Sequence, residues 1–399
     1  MDNGENLMLL KRLIHFALWA GAVFFIGYAF LGHAIISDAY RGQSWNLLNR
    51  VIEHQNERPL GFYITKADFV MFFLANFWLT AVLFLQRLVQ KSSAGERTVF
   101  DALMFVEYAC LFYFYLARMG AEHDWYVLEQ IMTFTGDPPY QHRILFVVPA
   151  QILRKVMPSV SYLQSFLWSQ AAAIVLALWA VKRFARLFIR EDLAFVAQFL
   201  LVAMWAPTLD YFTFYDIGIV FVYSFCLYHL LRREFVPYLL MFALGTFNHE
   251  LTLFLVVASA FVLFGRMDMR KLAEFLLLQL VLYALVRGSL FHFLPVDRAW
   301  ASGRVLFNLD LFSKRPRFLF MSIAPLIFWY ALALPGLRPA RPDLRRCLIV
   351  LPCLLAMTLL VGQLNESRQF DAFIPIAVAL ILGWIAARAG VPSTEKATS

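Results

Sequence analysis

Charge is scarce along this chain. Asp, Glu, Lys and Arg together make up 16% of its 399 residues, against roughly a quarter in a soluble domain, so water cannot be its main solvent. Glycine-rich phosphate loops are missing: neither GxGxxG nor a Walker sequence occurs, which argues against nucleotide-driven transport. There is no GxSxG elbow. The histidines His54, His123, His142 and His249 show no HExxH or His-x-Glu spacing, so no metal site is assigned and a divalent cation is left open as a cofactor. Cysteine is limited to Cys110, Cys226, Cys347 and Cys353, all within or beside apolar runs and without metal-type spacing. They read as small core residues and say nothing about compartment. The net charge of +8 does not point to nucleic acid, because the basic residues form short clusters at the ends of apolar runs rather than one stripe.

What fills the chain instead is hydrocarbon. Hydrophobic residues reach 61% and the mean hydropathy is +0.65. The apolar residues come in runs about as long as a bilayer is thick, roughly 17 to 25 residues. The first, Leu13 to Ile36, follows Lys11 and Arg12 and exceeds the roughly 7 to 15 residues of a signal-peptide core, so it reads as a retained span. Further runs cover Phe69 to Leu85, Val99 to Leu116, Tyr162 to Val181, Leu193 to Pro207 and Ile217 to Leu231. The second half adds Phe235 to Phe247, Leu251 to Phe264, Leu272 to Leu294, Phe318 to Leu334, Cys347 to Leu360 and Phe370 to Ala387. The expected fold is therefore all-α, a polytopic transmembrane helix bundle of about twelve spans. Several runs are short, and short or broken helices at membrane depth are tolerated where protein or a wet cavity covers them. Residues 144–157 read as a re-entrant or interfacial helix. One transmembrane domain over 1–391 is expected, followed by a polar, disordered cytoplasmic tail over 392–399.

Basic residues mark one side of this bundle. Lys11/Arg12, Arg87/Lys91/Arg97, Lys182/Arg183/Arg186/Arg190, Arg232/Arg233, Arg266/Arg270/Lys271, Arg338/Arg341/Arg345/Arg346 and Arg388 all fall on the same face, which predicts cytoplasmic termini. The loop carrying Arg298, Arg304, Lys314, Arg315 and Arg317 dissents. Either a span is miscounted there, or these charges grip anions such as lipid phosphates.

Nearly every unusual polar cluster lands on the opposite, outer side: Asp38, Glu122 to Tyr126, Asp137 to Arg143, Asp210 and Asp216, Asn248-His249-Glu250, and Asn365 to Arg368. A charge at the centre of a membrane helix costs about 2.5–3.5 kcal/mol on insertion, so such groups tend to be paired or functional. Glu250 opens an apolar helix, either as a site acid or as an acid favoured by the helix dipole behind an Asn248 cap. Asp124, in an aromatic outer loop, suits a general base for a hydroxyl, with a solvated loop acid as the bland alternative. Asp38 carries the same ambiguity. Arg143 and Arg368 suit bidentate contact with phosphate or act as snorkelling interface residues.

These stretches resemble a family. Asp124-Trp125-Tyr126 followed by Pro138-Pro139-Tyr140-Gln141-His142-Arg143-Ile144-Leu145 resembles the acid-x-Tyr and Pro-Pro-Tyr-x-x-Arg-x-Leu pattern of bacterial membrane proteins related to GT-C glycosyltransferases. Asn248-His249-Glu250 is similar to their Asn-Arg/Lys-Glu-Thr run, with His249 in place of the basic residue, and Asn365-Glu366-Ser367-Arg368 to their late Glu-x-Arg. The resemblance implies transfer of a sugar from a polyprenyl-phosphate donor to a glycan, lipid or protein acceptor, on the non-cytoplasmic face of a bacterial inner membrane. It implies a carboxylate base, Asp124 or Asp38, the choice staying open because that family places its base in the first large external loop. Arg143, Arg368 and one of Arg298, Arg304 and Arg315 would hold the phosphate, Glu250 and Glu366 would orient them, and Trp125, Tyr126 and Tyr140 would stack on a sugar. Asn248 and His249 join the substrate-binding set. The competing readings are a transporter or flippase of a lipid-linked sugar, an acyltransferase or glycan polymerase, and a structural membrane subunit.

Overall fold

The computed structural model describes residues 60–89, 94–121, 125–136, 140–205, 216–294 and 304–390, with the isolated positions 12, 16, 20 and 23. Regular structure among the described residues is helical, with no strand. The chain divides into two compact units, 1–122 and 123–399. Most of the first apolar run and the whole polar tail lie outside the described residues.

Unit 1 contains α1 (Leu60–Val89) and α2 (Ala94–Ala121). Arg87 meets Asp101 at 2.7 Å and Thr80 shares a hydrogen bond with Tyr108. The two pairs step equally along the helices in opposite directions, so α1 and α2 run antiparallel as a hairpin. Arg87 is buried, and its ion pair is the arrangement that makes a charge tolerable there.

Unit 2 begins with α3 (Trp125–Thr133) and α4 (Val147–Val156). Helix α4 realises the short helix expected over 144–157, with Val147 and Ala150 buried and Val148, Ile152 and Val156 exposed. Ser161 then opens α5 (Tyr162–Ala185) through a reciprocal capping box with Gln164, which satisfies two of the orphan N–H groups of the first turn. Helix α6 (Val196–Trp205) has all ten residues buried. At 1.5 Å per residue these ten described residues cover about 15 Å, and they form a buried pillar of the core. Next come α7 (Ile217–Leu231), α8 (Phe235–Thr246), α9 (Leu253–Leu263) and α10 (Met269–Phe293). The unit closes with α11 (Val305–Lys314), α12 (Pro316–Ala333), α13 (Pro342–Arg346), α14 (Val350–Leu360) and α15 (Ile374–Arg388).

Among the described residues three helices are long and apolar enough to cross a membrane: α5, α10 and the run Arg368–Arg388 that ends in α15. Shorter apolar helices include Phe73–Leu88, Ile217–Leu231, Phe235–Thr246, Glu250–Leu263 and Ser322–Leu337. The long ones differ in setting. The apolar window of the α15 run is 78% buried inside the protein, that of α10 only 22%, and α10 exposes Leu277, Leu278, Val281 and Leu285. Such a face needs an apolar solvent.

Several polar side chains enter the core, and three groups of them tie helices together through the hydrogen bonds that burial demands. Tyr238 on α8 meets Ser259 of α9 and Gln279 of α10, both at 2.8 Å. Asn308 of α11 donates to the carbonyls of Thr358, Leu359 and Gly362 and accepts from the Leu364 N–H, so one amide ties up the C-terminal end of α14. Arg346 donates to the Val262 and Phe264 carbonyls at the end of α9.

Candidate functional site

Four segments remote in sequence deliver charged side chains to one end of unit 2. They are the stretch before α4, the residue before α7, the turn between α8 and α9, and the stretch leading into α15. Helices α7 and α8 run in opposite directions, so the start of one lies beside the end of the other. The Ile144 N–H donates to the Phe247 carbonyl at 2.8 Å, which pins the stretch carrying Arg143 to the turn carrying Asn248. Gly218 allows the approach: a Cβ there would sit 2.5 Å from the Phe146 ring and 2.8 Å from Asn248 Nδ2.

Asp216 is the hub. Its Oδ1 lies 3.6 Å from Arg143 Nη1 and its Oδ2 lies 3.5 Å from Arg368 Nη1. Each guanidinium is also held by a second carboxylate, Arg143 by Glu250 at 2.9 Å and Arg368 by Glu366 at 3.1 Å. Gln369 donates to the same Glu366 oxygen at 2.9 Å. The inner groups Asp216, Arg143 and Arg368 are nearly sealed, whereas Glu250 and Glu366 are 30% and 24% exposed. Solvent or a ligand therefore reaches the cluster from the side of the two glutamates.

Electrostatics sort these groups further. Burial pushes the Asp216 carboxyl up from its ordinary value, while Arg368 and Arg143 pull it back down. His249, in the turn between helices, is brought down to about 3 by burial and by the neighbouring Arg143. It is thus a neutral imidazole at physiological pH. Its Nδ1 accepts from the Leu251 N–H at 3.2 Å, which leaves the proton on Nε2, the nitrogen 3.9 Å from Asp216. His249 caps the helical turn that starts at Glu250 and brings no charge to it.

Arg287 of α10 completes the set. It acts electrostatically on Glu250, His249 and His142, and its Nη1 is buried without a hydrogen-bond partner among the described residues. A buried guanidinium N–H of this kind is costly unless an acceptor arrives. Three arginines, Arg143, Arg287 and Arg368, thus surround three carboxylates, Asp216, Glu250 and Glu366. Among the described residues no group of three or more His, Cys, Asp or Glu is arranged to hold a metal ion.

Of the residues singled out from the sequence, Arg143, Asn248, His249, Glu250, Glu366 and Arg368 meet here. Trp125 and Tyr126 open α3 and Tyr140 opens a single 3-10 turn to His142. Arg304 stands at the start of α11 and exposed Arg315 at its end, outside the network just described. Asp38, Asp124 and Arg298 lie outside the described residues. Asp216 and Arg287 have places in the network that the sequence did not assign them. The available signals were an acid immediately before an apolar helix and a lone cation late in an apolar helix of 25 residues.

No family model, no curated protein and no solved structure matches this chain. The site is read from its own chemistry.

Proposed function

We propose that the protein is a membrane glycosyltransferase of GT-C type that moves a sugar from a polyprenyl-phosphate donor to an acceptor hydroxyl on the non-cytoplasmic face of a bacterial inner membrane. The observation that carries this reading is the convergence of Arg143 and Arg368, each backed by its own glutamate, beside Arg287 with its buried, unsatisfied N–H. Guanidinium groups held in place by carboxylates are preorganised donors, and preorganised donors stabilise charge that develops on a leaving group. In this reading the chain crosses the bilayer about twelve times with both termini cytoplasmic. The four segments of the cluster then share the outer face, as their meeting in one network requires.

The chemistry runs as one displacement. A carboxylate base, Asp124 with Asp38 as the second candidate, takes the proton of the acceptor hydroxyl while its oxygen forms a bond to the anomeric carbon. The bond between that carbon and the lipid-phosphate oxygen breaks, and the oxygen leaves with the electron pair toward Arg143, Arg287 and Arg368. Glu250 and Glu366 hold two of these cations in position, and Trp125, Tyr126 and Tyr140 supply faces for a sugar ring.

Transfer of labelled sugar from polyprenyl-phosphate donors into membrane glycans of cells expressing the protein tests this. Asp124→Asn is expected to abolish transfer with expression and insertion unchanged. Arg287→Gln is expected to weaken retention of polyprenyl phosphate by about tenfold or more, the worth of one charge-assisted hydrogen bond. Full transfer by both Asp124→Asn and Asp38→Asn removes the mechanism, and movement of the lipid-linked sugar across the bilayer without a covalent product assigns the site to a flippase instead.

A further inference from the structure

At the other end of unit 2, away from the ionic cluster, lies a cavity of about 360 Å³. Its two walls differ in kind. The C-terminal part of α15 contributes Leu380, Gly383 and Ala387, small or apolar groups on a helix of membrane-span character. The opposing wall, from the turn before α13 and from α13 itself, contributes Arg341 and Arg345.

The charge on that wall is not balanced. Arg341 grips Asp343 at 2.7 Å and donates to the Leu187 carbonyl at 3.0 Å. The same Asp343 is already shared with Arg266 at 3.8 Å. Arg345 spends its Nε on the Ala340 carbonyl at 2.9 Å and an Nη on the Arg338 carbonyl at 3.4 Å, neutral acceptors that leave its charge uncompensated. It has no carboxylate partner among the described residues, and neither do Arg338 and Arg346. The nearby acids are committed elsewhere, Glu191 to Arg186 and Asp192 to Arg190. A cationic rim facing a small-residue stretch of a spanning helix suits one ligand chemistry, a phosphate presented at a membrane surface. The volume lies near the lower bound of small-molecule pockets, roughly 300 Å³, which admits a headgroup and leaves acyl chains outside.

We propose that this cavity binds the phosphate headgroup of an anionic phospholipid, at a site separate from the Arg143–Asp216–Arg368 cluster. The inference does not depend on the glycosyltransferase reading. Gly383 offers a clean way to close the cavity, because a Cβ added there meets no heavy atom within 4 Å.

The test is native mass spectrometry of the full-length detergent-purified protein with phosphatidylglycerol, with phosphatidylcholine and with inorganic phosphate. The wild type is expected to retain phosphatidylglycerol at least tenfold better than phosphatidylcholine. Gly383→Leu and Arg345→Gln are each expected to erase that preference with the melting temperature in detergent alone unchanged. Should Arg345→Gln fail to fold, Gly383→Leu decides alone. Equal retention of the two lipids, or an unchanged preference in Gly383→Leu, overturns the proposal. Retention of inorganic phosphate in place of the lipid, lost in Gly383→Leu, overturns the lipid as the source and assigns the cavity to free phosphate.

Discussion

A neutral histidine among three arginines shows how single residues set the behaviour of the cluster. Unfolded, the His249 imidazole takes up a proton as pH falls through its ordinary value near 6.5, whereas in the folded protein burial and Arg143 delay that uptake to about 3. Between those values the unfolded state binds more protons, so stability is full above about pH 6.5 and falls as the medium is acidified. His249→Asn keeps a side-chain acceptor for the Leu251 N–H and removes the titration. Its melting temperature in detergent is expected to decline less steeply than that of the wild type between pH 7.5 and pH 5, and parallel curves would exclude this role. Residue identity alone exposed Glu250, Arg143 and Arg368 as unusual, because an ionisable group in an apolar setting stands out against its neighbours. Asp216 was only one acid among several in the outer set; its place as hub depends on Arg368, 152 residues away, and separations of that size leave no trace in local sequence. Arg287 was visible as a deep charge, but the side on which it sits was not.

Helices were legible to different degrees. Charged turns bound the apolar run Ile217 to Leu231, and α7 has the same limits. The described α-helical residues of the run from Leu193, Val196–Trp205, are buried all round, and hydropathy cannot separate contact with lipid from contact with other helices. Close approach between elements was equally invisible, and it falls at glycine. A Cβ on Gly336 would strike the backbone of Leu380 on α15, whereas Gly383, on that same helix, faces open space. Gly336→Ala is therefore expected to destabilise the protein by about 1–3 kcal/mol, the usual cost of overpacking. Gly383→Ala is expected to be neutral or to stabilise it by up to about 1 kcal/mol through helix propensity. Thermal unfolding of the two variants side by side checks the contrast, and equal losses would remove the assigned contact.

For the molecule as a whole the decisive matter is sidedness. Composition alone pointed to a membrane protein, and the alternation of basic loops gave an expectation for its two faces; which residues then touch one another required the folded chain. With the four native cysteines replaced, single cysteines at Tyr126 and Asn365 are expected to react with an impermeant maleimide added outside intact cells, and cysteines at Arg233 and Arg388 only after the membrane is opened. Labelling of positions 126 and 365 from opposite sides would dismantle the shared outer site.

The grip on the two inner arginines is uneven. Glu250 and Glu366 hold them at 2.9 and 3.1 Å, Asp216 only at 3.6 and 3.5 Å. A dianion that draws both guanidiniums away leaves the Asp216 carboxylate in a niche sealed from solvent, where its protonated form is favoured. The ligand would then enter together with a hydrogen ion, as an acid rather than a salt. Calorimetric heats of polyprenyl-phosphate binding should accordingly differ between HEPES and Tris, and that difference should vanish in Asp216→Asn; equal heats in the wild type would mean that the niche tolerates its lone charge.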